Sequence, residues 1–150
     1  TSGYVPGILK LASEGKQWNL ALSLHSADEQ KREKIVPNLK YKLPEIIDAC
    51  SEYKKKTGRI VTFEWVLIDG INSSEKDAES LAKIAKKTAS KVNLIPFNPH
   101  KLSPFKRPQP KDIEKFEKIL KRYKIPFTKR IEKGSGISAA CGQLRAERKF

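Results

Sequence analysis

The chain contains no methionine and opens directly on Thr1-Ser2-Gly3. A natural chain starts with Met, so we expect this one to be a piece of something longer. It has no run of about 18 apolar residues and no basic-then-apolar leader, which gives no sign of a membrane span or an export signal. The cytoplasm is the expected compartment. Cysteine is nearly absent too: Cys50 and Cys141 stand alone, without metal spacing between them and too few for a disulfide framework. Acidic residues are also scarce. There are 17 Asp and Glu against 31 Lys and Arg, a formal charge of +14.

That charge is uneven. Residues 101–150 hold 15 Lys and Arg against 5 Asp and Glu, a net +10, and residues 1–100 carry the remaining +4. A basic last third suits a polyanionic partner, since each neutralised phosphate releases counterions. Solvated helix lysines are the plainer alternative. At 150 residues the chain has the usual size of one domain, enough to bury roughly 68–70% of its unfolded surface.

The stretch Gly134-Ser135-Gly136-Ile137-Ser138-Ala139-Ala140-Cys141-Gly142-Gln143-Leu144 sets one thiol among small residues. Gly134, Gly136 and Gly142 admit backbone angles closed to other residues, while Ala139 and Ala140 leave room for something large to approach the sulfur. A reactive cysteine needs access and a route to thiolate, and Lys129, Arg130 and Lys133 stand just ahead of it. A buried cysteine filling a gap is the alternative.

Taken in order, residues 5–12 read as a short helix with Pro6 in its first turn, stopping near Gly15. Residues 18–25 are short and apolar and end on polar residues, as a buried strand does. Asp28 to Lys34 is a charged helical turn or two. Leu43, Ile46, Ile47 and Cys50 follow i, i+3, i+4, i+7, which puts Cys50 on the core face of a helix ended by Gly58. Residues 59–68 are rich in β-branched and aromatic side chains and form the clearest strand. Ala78, Leu81, Ala82 and Ala85 mark the next helix, capped by Asn72, Ser73 or Ser74. A third strand follows over 91–99, then a Pro- and Lys-rich loop. A last helix opens at Pro110 with Ile113, Phe116, Leu120 and Tyr123 on one face, and an edge strand over 125–131 leads into the thiol segment.

Three strands separated by helices imply an α/β fold of parallel βαβ units. Ligands of such folds meet the carboxyl ends of the strands, where this chain places Ser23 and His25, Glu64 and Asp69, and Asn98. Each could equally be an ordinary loop-facing polar side chain.

Four segments together, Thr1-Ser2-Gly3 with Val5-Pro6, Ser23-Leu24-His25, Asn93-Leu94-Ile95-Pro96-Phe97-Asn98-Pro99 and Ala139-Ala140-Cys141-Gly142-Gln143-Leu144, resemble the C-terminal half of the radical S-adenosylmethionine (SAM) adenine methyltransferases of RNA. That family includes enzymes methylating adenine carbon 2 in 23S ribosomal RNA and transfer RNA, and a resistance enzyme methylating carbon 8. The resemblance implies part of a (β/α)6 barrel, with the last three barrel strands over 1–100 and a basic extension carrying the thiol over 101–150. It implies that Ser23, Leu24, His25 and Asn98 bind SAM and that Cys141 is the methyl carrier, passing through S-methylcysteine. It further implies a [4Fe-4S] cluster and an electron donor such as a flavodoxin. The Cys-x3-Cys-x2-Cys motif, the Gly-Glu motif and the cysteine that releases product are missing, and would lie before Thr1. Gly136 stands where the family pattern has an acidic residue. On this basis the parent would be an enzyme and the piece alone inactive. The open edge of a half barrel could also draw two copies into a non-native dimer.

Two other classes compete. A non-catalytic basic RNA-binding module would grip RNA through residues 101–150 with a steep salt dependence. A plain α/β domain with a solvated basic face would do neither.

Overall fold

The computed structural model describes residues 1–37, 39–99 and 103–130. Among these residues nine elements follow in order: α1 (Val5–Ser13), β1 (Ala21–Ser23), α2 (Glu29–Ile35), α3 (Leu43–Thr57), β2 (Thr62–Leu67), α4 (Glu75–Thr88), β3 (Lys91–Pro96), α5 (Pro110–Arg122) and β4 (Phe127–Lys129). Local chemistry sets the boundaries. Pro6, Pro44 and Pro110 sit in the first turns of α1, α3 and α5, where a missing N–H costs nothing. Gly58 closes α3 in the left-handed region (φ 69°) and donates its N–H to the Lys54 carbonyl. Of the three candidate caps for α4, Ser74 takes the position and accepts from the Asp77 N–H.

The four strands form one sheet in the order β1-β2-β3-β4, every neighbouring pair parallel. The strand expected over 125–131 is therefore a fourth parallel member beside the three anticipated, and α5 is its crossover helix. Strand order follows chain order without reversal, as in a barrel segment and unlike a doubly wound sheet. Helices α1 and α3, α3 and α4, and α4 and α5 pack as neighbours in turn.

Beneath those helices lies the core. Alternate residues of β2 (Phe63, Trp65, Leu67), with Leu22 on β1 and Val92 and Leu94 on β3, are buried. Trp65 meets the ring of Phe116 on α5 at 6.0 Å between centroids. Cys50 lies in this core as expected, where burial pushes its thiol up to about 12. Among the described residues no helix is long and apolar enough to cross a membrane.

Candidate functional site

The carboxyl end of β1 is held by bonds to its backbone. The N–H groups of Leu24 and His25 both donate to the Glu64 carbonyl, at 3.1 and 3.2 Å, and His25 turns the chain with a positive φ of 55°. On the other edge of β1, the Ser23 N–H donates to the Thr1 carbonyl at 2.8 Å, so residues 1–3 run beside the strand. Gly3 makes this close approach possible. Its φ is +109°, and a Cβ there would stand 2.6 Å from Ile46 Cδ1.

Two buried polar side chains fix the turn from behind. Arg32 is 1% exposed and donates from Nε to the Leu24 carbonyl (3.0 Å) and from Nη2 to the carbonyls of Ser2 (2.6 Å) and Ser23 (3.1 Å). Asn72 donates from Nδ2 to the carbonyls of His25 (2.7 Å) and Val66 (2.6 Å), and its Oδ1 accepts from the Ile68 N–H at 2.8 Å. Together they join the ends of β1 and β2 to the first three residues. Leu24 is fully buried, with its N–H and carbonyl both engaged inside the protein, so it anchors the turn.

The imidazole of His25 is half-buried, and its Nδ1 accepts the Val66 N–H at 3.1 Å. The ring proton of the neutral form therefore belongs on Nε2. Burial, helped by the Arg32 charge and opposed by the Glu64 backbone, lowers His25 from 6.5 to about 4. At neutral pH this residue is an uncharged donor.

A polar row crosses the face of the sheet away from the helices. Ser23, Glu64, Asn93 and Thr128 are successive register partners on the four strands. Asn93 Nδ2 donates to Glu64 Oε2 at 2.9 Å, and the Thr128 hydroxyl donates to Asn93 Oδ1 at 3.1 Å. Val66 and Ile95, one step higher, give this face an apolar layer above the row.

The structure thus brings Ser23, His25 and Glu64 together, with Glu64 in mid-strand below the position expected for it. Asn98 is half-buried two residues past β3, on the strand next but one to β1. Cys141 and the whole small-residue segment lie outside the described residues. Asp69 belongs elsewhere. With Lys31, Ser74, Asp77, Asp112 and Lys115 it lines a cleft of about 310 Å³ among the starts of the helices, which contains none of Ser23, His25 and Asn98. Within that cleft Lys31 and Asp77 are paired at 2.6 Å. The row on the inner face is the better candidate, because it adjoins the His25 turn at the end of β1 and carries a Ser23 hydroxyl and a Glu64 oxygen that bond to no described residue.

Arg32 and Asn72 carry no site signal in the sequence. Arg32 reads as one more cation in a charged helix, and Asn72 as one of three possible caps. The row had a usable signal in the alternation of Thr62, Glu64 and Val66 with Phe63, Trp65 and Leu67.

No family model matches the chain. It is 47% identical over 146 residues to the Probable dual-specificity RNA methyltransferase RlmN of Clostridium perfringens, covering 97% of this chain and 42% of that protein. It is 45% identical over 148 residues to the Ribosomal RNA large subunit methyltransferase N of Nitrosopumilus maritimus, covering 98% and 42%. Among solved structures, a radical SAM methyltransferase from Sphaerobacter thermophilus superposes with a TM-score of 0.91 at 51% identity, over 98% of this chain and 43% of the other. The chain belongs to the radical SAM methyltransferase family. It spans about two-fifths of the length of these relatives. A domain of the pyruvate-formate lyase-activating enzyme of Bacteroides vulgatus, 17% identical with a TM-score of 0.60, shares the fold.

For a radical SAM methyltransferase, the described residues fit one cofactor and not the other. A neutral imidazole and a hydroxyl at the end of β1, with a carboxylate and an amide on the adjoining inner face, are a donor and acceptor set suited to a nucleoside such as SAM. An iron–sulfur cluster needs cysteine thiolates. Among the described residues Cys50 is the sole cysteine, sealed in the core with its thiol held protonated, and no group of three metal-ligating side chains occurs.

Proposed function

We propose that this chain is the SAM-binding and methyl-carrying part of an RNA methyltransferase whose target is carbon 2 of an adenine in 23S ribosomal RNA and transfer RNA. The observation that carries this reading is the turn at 23–25. Ser23 and His25 offer polar groups at a strand end braced by Arg32 and Asn72, in a chain 47% identical to a protein named as an RNA methyltransferase. SAM bound there supplies the methyl group and, with an electron from a [4Fe-4S] cluster held outside the described residues, the radical that activates it.

The chain's own residues divide the work. Ser23 and His25 contact SAM at the end of β1, and Asn98 does so from the end of β3. Leu24 seats the turn. The Cys141 thiolate attacks the methyl carbon of one SAM, forming an S–CH3 bond as the sulfonium–methyl bond breaks and S-adenosylhomocysteine leaves. Cys141 then presents that methyl to the adenine. The half barrel over 1–100 thus binds SAM, and the basic stretch over 101–150, whose α5 and β4 are joined to the same sheet, carries the thiol toward RNA. A flavodoxin-like electron donor and a cytoplasmic setting complete the picture.

The test is mass spectrometry of the Cys141 peptide from the longer natural protein, expressed and purified anaerobically. One added methyl on sulfur is the expected result. A bare thiol beside a loaded cluster overturns the methyl-carrier role. A second reading rests on the net +10 of residues 101–150. As a non-catalytic RNA-binding module the chain would bind RNA with a steep salt dependence and be indifferent to Cys141→Ala.

A further inference from the structure

The interior of a closed eight-stranded α/β barrel is ordinarily filled by bulky branched side chains. Here a carboxylate occupies the middle strand of the inner face. Glu64 stands between Phe63 and Trp65, both fully buried on the opposite face, and is itself half-buried. Carboxylates are rarely placed so without a partner. Its partner among the described residues is a neutral amide: Asn93 Nδ2 donates to Oε2, and Asn93 is in turn oriented by the Thr128 hydroxyl. Among the described residues no Lys or Arg pairs with Glu64, and its Oε1 accepts no hydrogen bond.

Two further unpaired groups adjoin it. Ser23 is the register partner of Glu64 on β1, and its hydroxyl bonds to no described residue. His25, two residues past the end of β1, has Nδ1 engaged and the Nε2 proton left over. The row is therefore preset for a ligand that brings neutral donors side by side. A cation would satisfy Glu64 but leaves the Ser23 hydroxyl and the His25 imidazole N–H without a partner among the described residues. A vicinal diol can donate to the carboxylate and accept from the hydroxyl and the imidazole N–H, and a carboxylate accepting from ribose hydroxyls is a recurrent solution in α/β folds.

We propose that Glu64 is the ribose-binding carboxylate of this site, accepting from the vicinal hydroxyls of the adenosyl group, with Asn93 and Thr128 as the residues that position it. This rests on the assignment of residues 23–25 to SAM. A hydrogen bond to a charged group contributes about 1.5–3 kcal/mol, which corresponds to roughly ten- to a hundredfold in affinity.

The experiment measures equilibrium binding of SAM and of its 2′,3′-dideoxyribose analogue to the full-length natural protein under anaerobic conditions, without reductant. The unaltered protein should bind SAM about ten- to a hundredfold tighter than the analogue. Glu64→Ala should lose that factor for SAM and bind the two ligands alike. Glu64→Gln keeps the shape, guards against a folding defect, and should fall between. Equal losses for both ligands, or no loss in either variant, would overturn the ribose role while leaving the SAM site standing. If the unaltered protein binds neither ligand, the assignment of residues 23–25 falls and this proposal with it.

Discussion

The two faces of β2 were built for different tasks from one run of six residues. Phe63, Trp65 and Leu67 point under the helices and are sealed, whereas Thr62, Glu64 and Val66 alternate with them on a half-buried face. The first set is apolar, and neighbouring strands extend it with Leu22, Val92 and Leu94. The second is extended by Ser23, Asn93 and Thr128 into a polar row. Stability should therefore depend on odd-numbered residues of this strand and ligand recognition on even-numbered ones. A one-residue slip in register would exchange the two roles.

The sharpest way to break that division is to cut into the sealed face. Trp65 is wholly buried against Phe116, and its indole N–H donates to the Asn72 carbonyl at 3.2 Å. Trp65→Ala should cost about 3–5 kcal/mol, a large fraction of the about 5–15 kcal/mol that holds a domain folded. The cost would be read as a lowered urea midpoint at unchanged slope. A loss below about 1 kcal/mol would mean that the helix side is not the core of this sheet.

Much of the sealed face was legible in the sequence. The spacing of Leu43, Ile46, Ile47 and Cys50 gave α3, that of Ala78 to Ala85 gave α4, and the β-branched and aromatic run at 59–68 gave β2. These patterns are local periodicities, and burial follows from them directly. The strand expected over 18–25 narrows to Ala21–Ser23, because the residues after it leave the ladder to form the His25 turn. The polar row was not legible as a row. Ser23, Glu64, Asn93 and Thr128 are far apart in the chain, and register, which depends on how crossovers pack, is what aligns them. Arg32 was hidden for another reason. A buried guanidinium bonded to three carbonyls leaves no trace in a helix whose neighbours are also charged.

A smaller effect separates the faces by pH. His25 sits at the seam, and its pKa is lowered from 6.5 to about 4 by burial first and Arg32 second. Between these values the unfolded chain binds more protons than the folded one. Its stabilising contribution is therefore complete above pH 6.5, falls as pH drops toward 4, and stays lost below that. Going from pH 7 to pH 5 should cost about 2 kcal/mol through this residue alone. That share is isolated by subtracting the urea-unfolding result for His25→Asn, which does not titrate. An NMR titration placing the His25 midpoint near 6.5 would show that the turn is open to water and carries no such penalty.

The smallest expected effect is the most discriminating for the inner face. Thr128 is exposed at the end of the row, and its hydroxyl donates to Asn93 Oδ1 at 3.1 Å. Its register partner on β3 is Asn93, and the next residue of that strand, Leu94, is wholly buried on the sealed face. Thr128→Val keeps the branched shape, and water can replace the lost donor at an exposed position, so unfolding free energy should move by no more than about 0.5 kcal/mol. Leu94→Ala, adjacent in the same sheet, should cost about 2–5 kcal/mol. If Thr128→Val were as damaging as Leu94→Ala, the row would be a structural hydrogen-bond network like the one around Asn72. A near-zero shift would mean that folding does not require the row, leaving ligand positioning as the reason for its polarity.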